Sequence, residues 1–488
     1  MSLRRRGLWL LAALLLGSGA RAELPASVQQ ALQAAQIPAS QVAIVVQPVE
    51  GKTPLIAHNA RTPMNPASVM KLLTTYAALE LLGPAHTWKT GAWSAASTVD
   101  GVLEGDLILK GGGDPRFAIE HLWTLLRQLR VRGIRHIAGD IVLDRSVFSI
   151  PDTDPGAFDD KPMRPYNVGP DALLLNFRAL RFSFLSGDGA QPRILQETPS
   201  EGLRLDNQVR HTDTPCPRQW ADQIQTRLLA DPPGTGWRLE FSGQYSRQCG
   251  EKSLNLAPLP ADAQAEGLIR ALWRELGGTL GGQVRNGSLP PGARLISEHE
   301  SAPLADAVRD INKFSNNVMA RHLYLALGNH PGVPGSLERA RERLQAWLHQ
   351  RQLDFPELVV ENGSGLSRRE RISAENLNRL LLSAWRSPVM PEFIASLPIV
   401  GIDGTMKRRL QDSQASGRAH IKTGTLDGVR TAAGYALDAH GQRHGVTILI
   451  NHPRAAAGGA VIDAVLLWLA RHTGTAPSGR TPRALPGS

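Results

Sequence analysis

Ser68 and Lys71 stand three residues apart in Asn65-Pro66-Ala67-Ser68-Val69-Met70-Lys71. On a helix that spacing puts a hydroxyl and an amine side by side on one face. A serine hydroxyl is a poor nucleophile until a base takes its proton. Lysine can be that base only when neutral, and burial beside a second cation lowers an ammonium pKa in the required direction. Further along, Ser315-Asn316-Asn317 supplies a second hydroxyl and a side-chain amide, and Lys422-Thr423-Gly424-Thr425 supplies the second cation. Nucleophile, base, relay hydroxyl and anion-binding cation are the parts of acyl transfer through serine.

The elements that must carry these groups are legible around them. Asn65 reads as an N-cap, Pro66 as the first helical residue and Gly83-Pro84 as the stop, so Ser68 falls in the first turn, where the helix dipole favours developing negative charge. Val42 to Val46 is a β-branched run that reads as a buried strand, with Thr53 to His58 as its partner. Leu304, Val308, Ile311, Val318 and Leu323 recur at helical spacing around Ser315, which predicts that this motif sits where two helical segments meet. A glycine-broken loop at 361–368 precedes a helix over 374–385. Lys422 to Thr425, Thr431 to Leu437 and Val446 to Ile450 read as successive strands before a last helix over 460–471.

Ser68 and Ser315 are about 250 residues apart, yet one cleft must hold both, so about 200 residues are read as an insertion into one catalytic domain. The expected division is 23–84 and 290–473 for the catalytic halves and 85–289 for the insertion, with a nested β-rich unit near 173–255. In that unit Leu180, Phe182 and Phe184, and then Trp237, Leu239 and Phe241, alternate with polar neighbours. Gly111-Gly112-Gly113 before Asp114-Pro115 lacks the Gly-Lys-Ser/Thr ending of a phosphate loop and reads as a structural turn. The tail 474–488, rich in Pro, Gly and Ser, is expected to be disordered.

Composition sets the compartment. An apolar fraction of 42% with 20% charged residues is that of a globular protein. Residues 1–22 read as a secretory signal, with Arg4-Arg5-Arg6, an apolar run from Leu8 to Leu16 and Ala20-Arg21-Ala22 as cleavage site; that run is far short of the roughly 20 residues a membrane span needs. Export favours pairing the only two cysteines, Cys216 and Cys249, against the alternative of two buried thiols. Removing the four arginines of 1–22 lowers the formal net charge from +10 to +6, compatible with peripheral contact with an anionic wall or membrane surface and equally with a solvated exterior. No arginine-rich run interleaved with aromatics points to nucleic acid, and the histidine spacing points to no metal. No cofactor is expected.

The three motifs, in this order, are a signature of penicillin-binding proteins and class A β-lactamases. Together with Gly-Gly-Asp-Pro at 112–115, Gly-Ser-Gly-Leu-Ser-Arg at 363–368 and Gly-x-Asp-Gly-Thr at 401–405, the chain resembles the exported D-alanyl-D-alanine carboxypeptidase/endopeptidase family, the class C low-molecular-mass penicillin-binding proteins. The resemblance implies an α/β transpeptidase-like domain, an antiparallel sheet with flanking helices, interrupted by inserted β-rich domains. It implies a periplasmic enzyme that cuts D-Ala-D-Ala ends and D-Ala-diaminopimelate cross-links of peptidoglycan and is acylated by β-lactams. Ser68 is then the nucleophile and Lys71 the base, Ser315 the relay, Asn317 the amide anchor, and Lys422, Thr423 and Gly424 the carboxylate site. The backbone N–H groups of Ser68 and Thr425 form the oxyanion hole. A pocket for the diamino acid maps by position to Asp160, Tyr166 and Arg368, with Asp159 as the alternative acid. The rivals are a serine β-lactamase and a non-catalytic sensor of β-lactams or peptidoglycan. Against the first, Glu375-Asn376-Leu377-Asn378 misses the Glu-x-x-Leu-Asn spacing of class A enzymes. The resemblance says nothing of oligomeric state.

Overall fold

A computed structural model describes residues 24–232 and 236–473; the expected signal segment 1–22 and the tail 474–488 lie outside them. The sheet that organises the molecule is drawn from both ends of the chain. Its order is Ile56–His58, Val42–Pro48, Arg443–Asn451, Val429–Leu437, Ala419–Leu426, with every neighbour antiparallel. Val42 opposes Ile450 and Val46 opposes Val446.

The continuous apolar run at 42–46 follows from cover on both faces, since a strand buried on two sides has no position for a polar alternate. Val42, Ile44 and Val46 enter one core with the helices Ala26–Ala35 and Gly459–Arg471. Ala43 and Val45 enter the other, with Lys71–Leu81, Leu304–Phe314, Asn317–Leu327 and Ala374–Trp385. That second core carries the chemistry, because its first helix follows Ser68 and its next two flank Ser315.

Between these halves the chain builds separate sheets. One runs Val284–Gly287, Ile141–Asp144, Leu107–Lys110, Lys89–Ser94, Arg294–Glu300 and packs on the helices Ile119–Val131 and Ala261–Glu275. Arg294–Glu300 pairs antiparallel with Lys89–Ser94, so the inserted sheet continues past the expected return at residue 290. The glycine turn is structural: a Cβ on Gly111 would lie 2.2 Å from the Ala172 carbonyl oxygen and one on Gly112 2.2 Å from that of Lys89, leaving no concavity for a phosphate.

Within the insertion stand two three-stranded sheets, one centred on Leu180–Leu185 and one on Trp237–Ser246. Their core is aromatic, with Phe182 and Phe184 meeting Phe241 edge-on at ring-centroid distances of 5.1 and 5.6 Å. Cys216 and Cys249 form a disulfide across 33 residues beside this core. Closing a loop of that length removes denatured-state entropy worth about 3–4 kcal/mol. Reduction is expected to lower the melting temperature by several degrees while changing acylation at Ser68 less than twofold, readable by calorimetry and β-lactam labelling. An unchanged melting curve would contradict this.

Candidate active site

The chain enters the site through strain. Asn65 Oδ1 accepts the Ala67 N–H at 2.8 Å, and Ala67 then takes a left-handed conformation, φ +46°. A 3₁₀ turn, Ala67–Met70, carries Ser68, and the α-helix proper begins at Lys71. The expected capped α-helix from Pro66 is therefore corrected: Asn65 orders a tighter entry, and Ser68 stands on a turn ahead of the helix. Ser315 is likewise left-handed, φ +59°, between Leu304–Phe314 and Asn317–Leu327, and Asn316 caps the second helix by accepting the Met319 N–H at 3.0 Å. Such conformations cost about 1–3 kcal/mol each and persist where surrounding structure imposes them.

Lys71 is fully buried, and its Nζ donates to Ser68 Oγ at 2.9 Å, to Asn317 Oδ1 at 2.6 Å and to the Ser364 carbonyl. Burial pushes its pKa well down; Lys422 and Arg321 push the same way, while Glu370 opposes them. Lys422 is also fully buried and donates to Ser315 Oγ and to the Thr423 carbonyl, both at 2.8 Å; burial lowers its pKa to about 7. Thr423 Oγ1 lies 2.9 Å from Thr405 Oγ1, which adds the end of the 401–405 stretch to the same wall.

Gly424 explains how the strand comes so near the serine. A Cβ there would lie 2.8 Å from Ser68 N and 2.9 Å from the Pro66 carbonyl oxygen. Thr431 Oγ1, on the neighbouring strand, donates to that same carbonyl at 2.8 Å. From the other side, a Cβ on Gly365 would stand 1.9 Å from the Ala67 oxygen, so the 361–370 loop presses on the turn as well. The structure thus brings Ser68, Lys71, Ser315, Asn317, Lys422, Thr423 and Gly424 together, and places Thr425 next along the strand, exposed.

The expected diamino-acid pocket is partly rearranged. Tyr166 donates its hydroxyl to Asp159 Oδ2 at 2.7 Å, and Asn167 Nδ2 donates to Asp159 Oδ1 at 2.7 Å. Asp160 instead closes a turn, its N–H donating to the Gly156 carbonyl at 2.8 Å with φ +58°. The acid paired with Tyr166 is thus Asp159, not Asp160. Burial opposes the Asp159 charge, but the bonds from Tyr166, Asn167 and the Lys161 N–H outweigh it and hold its pKa below the usual range. Burial, then the Asp159 contact, push Tyr166 up to about 12. Arg368 reaches the same region: its guanidinium lies 4.9 Å from the Phe158 ring centroid, and its Nη1 donates to the Asp427 carbonyl at 2.8 Å. The sequence reading gives no role to Arg321 or Glu370, and none to Thr405 or the Ser364 carbonyl beyond their places in the 401–405 and 363–368 stretches.

A paired serine and neutralisable lysine, a relay hydroxyl and an anchored cation on a strand edge define a serine acyl hydrolase of the penicillin-binding type. The chain belongs to the D-Ala-D-Ala carboxypeptidase 3 (S13) family, which it matches over residues 24–472. It is 26% identical over 416 residues to a D-alanyl-D-alanine carboxypeptidase of Haemophilus influenzae, covering 84% of this chain and 85% of that one. It is 28% identical over 477 residues to a D-alanyl-D-alanine carboxypeptidase of Actinomadura sp. strain R39, covering 95% and 87%. The crystal structure of penicillin binding protein 4 from Haemophilus influenzae superposes with a TM-score of 0.76 at 25% identity, over 91% of this chain and 99% of that one. The same protein in complex with a β-lactam gives 0.73 at 24%, over 91% and 100%. The fold is that of a penicillin-binding protein with inserted domains, and the enzyme is a serine-type D-Ala-D-Ala carboxypeptidase. Among the described residues no helix is long and apolar enough to cross a membrane.

Proposed function

We propose that this enzyme hydrolyses both the D-Ala-D-Ala ends and the D-Ala-diaminopimelate cross-links of peptidoglycan through an acyl-enzyme on Ser68. The observation that carries the reading is the buried Lys71 amine 2.9 Å from Ser68 Oγ with its pKa driven down, which makes it a base rather than a counter-ion. Lys71 Nζ takes the Ser68 proton as Oγ bonds to the peptide carbonyl carbon. The oxyanion meets the backbone N–H groups of Ser68 and Thr425, a kind of contact whose loss typically costs about 10²–10³ in rate. As the carbon–nitrogen bond breaks, Ser315 Oγ gives its proton to the leaving amine, and the proton that Lys71 took from Ser68 replaces it, so that Lys422, hydrogen-bonded to Ser315 Oγ at 2.8 Å, stays charged. Asn317 holds the acyl-side amide, Lys422 and Thr423 hold the leaving group's carboxylate, and water then releases the ester.

β-Lactams present a strained amide to the same serine, in line with the complex of the Haemophilus protein. The segment 1–22 directs export, and the periplasm is the site of action. Incubating the protein with muropeptides and weighing the products tests the reading: loss of one alanine from pentapeptides and halving of cross-linked dimers are expected, with a penicilloyl adduct on the Ser68 peptide. Intact dimers with shortened pentapeptides would reduce it to a carboxypeptidase alone.

The pocket of Asp159, Tyr166 and Arg368 reads the free end of the diamino acid, acid to ammonium and guanidinium to carboxylate. Asp159→Asn is expected to lower kcat/KM about fivefold for diaminopimelate peptides and to leave an analogue without the side-chain ammonium unaffected, the loss of a solvent-reachable charged contact being worth about 1 kcal/mol. Equal losses on both substrates would remove the pocket from this role.

A further inference from the structure

Glu370 lies outside the three motifs, yet it is completely buried behind the catalytic lysine. Its Oε1 accepts the backbone N–H groups of Glu361 and Asn362 at 3.1 and 3.2 Å, closing the loop 361–370 on itself. Its Oε2 is buried and has no hydrogen-bond partner. The loop it closes is the one that grips the serine helix: the Gly363 carbonyl accepts from Thr74 Oγ1 at 2.6 Å, and the Ser364 carbonyl accepts from Lys71 Nζ. Burying a carboxylate with one oxygen unpaired is costly unless opposite charge stands nearby.

We propose, on the acyl-enzyme reading given above, that Glu370 is a positioning residue for the catalytic base. Its carboxylate fixes the loop whose Ser364 carbonyl holds Lys71 Nζ, and its charge acts across the buried site on that amine. The groups around it are these. Lys71 faces it from the serine helix, and Arg321 and Tyr324 from the helix Asn317–Leu327; Arg341, on Leu337–Gln350, acts on Tyr324. Lys422 acts on Lys71 from its strand. Glu361, in the same loop, is occupied by Ser367 Oγ and Arg369. Burial raises Glu370 to about 7 against the pull of the Asn362 N–H, of Lys71 and of Arg321. Each group biases the other: charged Glu370 favours ammonium Lys71, and neutral Glu370 favours the free amine.

The test is the pH profile of second-order acylation by a chromogenic β-lactam. Glu370→Gln keeps an acceptor for the two N–H groups but removes the charge that favours ammonium Lys71. Its acid limb is expected to move to lower pH and to follow a single ionisation, with the plateau rate within about threefold of wild type. Glu370→Ala opens the loop and is expected to lose at least about tenfold at every pH. Arg321→Met removes a cation that disfavours ammonium Lys71, so its acid limb should move the opposite way, to higher pH. A merely structural glutamate would give Glu370→Gln a profile that superimposes on wild type, and that result overturns the proposal. Should that variant not fold, Glu370→Ala decides: acylation within about twofold of wild type at every pH overturns the proposal. A wild-type protein that no β-lactam acylates would defeat the acyl-enzyme reading instead.

Discussion

Lys71→Arg is expected to slow acylation of Ser68 by about 10²–10⁴-fold while leaving the melting temperature within a few degrees. Three acceptors surround Nζ: Ser68 Oγ, Asn317 Oδ1 and the Ser364 carbonyl. A guanidinium can donate to acceptors of these kinds and keeps the positive charge, so a lysine that served as a fixed cation would tolerate the change. Arginine does not surrender a proton near neutrality, and general-base catalysis is worth about 10²–10⁴. Rapid-mixing acylation with a fluorescent penicillin separates the two roles, because near-normal labelling would mean that some other group takes the Ser68 proton. The sign of the pH dependence follows from the same assignment. Lys71 works neutral, so activity falls as pH drops through its lowered pKa. Lys422 works charged, so carboxylate binding weakens as pH rises through its pKa, which burial lowers to about 7.

What the sequence discloses is local or periodic. The run at 42–46, the helix Ala374–Trp385 and the meeting of two helices at Ser315 follow from side-chain pattern, and each stands where that pattern puts it. The three motifs are read because each packs its reactive groups within a few residues. What escapes is set by distance along the chain. Glu370 acts on Lys71 through a loop that folds back from about 300 residues away, and nothing in Arg-Arg-Glu-Arg distinguishes a buried acid from a solvated one. The entry at Asn65-Pro66 has the residues of a cap, but strand contacts at Gly424 and loop contacts at Gly365 press the turn into a tighter form. The choice between Asp159 and Asp160 rests on one backbone torsion in a turn, which neighbouring aspartates do not encode. Arg294–Glu300 carries five charged or polar side chains and is recognisable as a strand only through its partner, Lys89–Ser94, so the inserted sheet runs past residue 290 without a signal in the sequence.

Loss of the Lys422 ammonium is expected to impair both proposed activities together. In a stem peptide, the leaving D-alanine carries its carboxylate on the carbon next to the scissile nitrogen. In a cross-link, the D-centre of diaminopimelate presents a carboxylate in the same relative place. One cation with a hydroxyl beside it can hold either, and Lys422 and Thr423 sit on the strand that passes Ser68, so the anchor also aligns the carbonyl for attack. A hydrogen bond to a charged group is worth about 1.5–3 kcal/mol, which makes Lys422→Ala a loss of about 10–150-fold in kcat/KM for carboxypeptidase and endopeptidase alike. The same nitrogen donates to Ser315 Oγ at 2.8 Å, so loss of the relay's partner pushes the effect toward the upper end. Amidating the substrate carboxylate separates these two contributions, since it removes the anchor and leaves the relay intact. An amidated substrate should lose rate on wild-type enzyme and lose with it the alkaline fall that reports Lys422 deprotonation. If the amide is cleaved as fast as the free acid, with the alkaline limb unchanged, Lys422 acts through Ser315 alone and the carboxylate is read elsewhere.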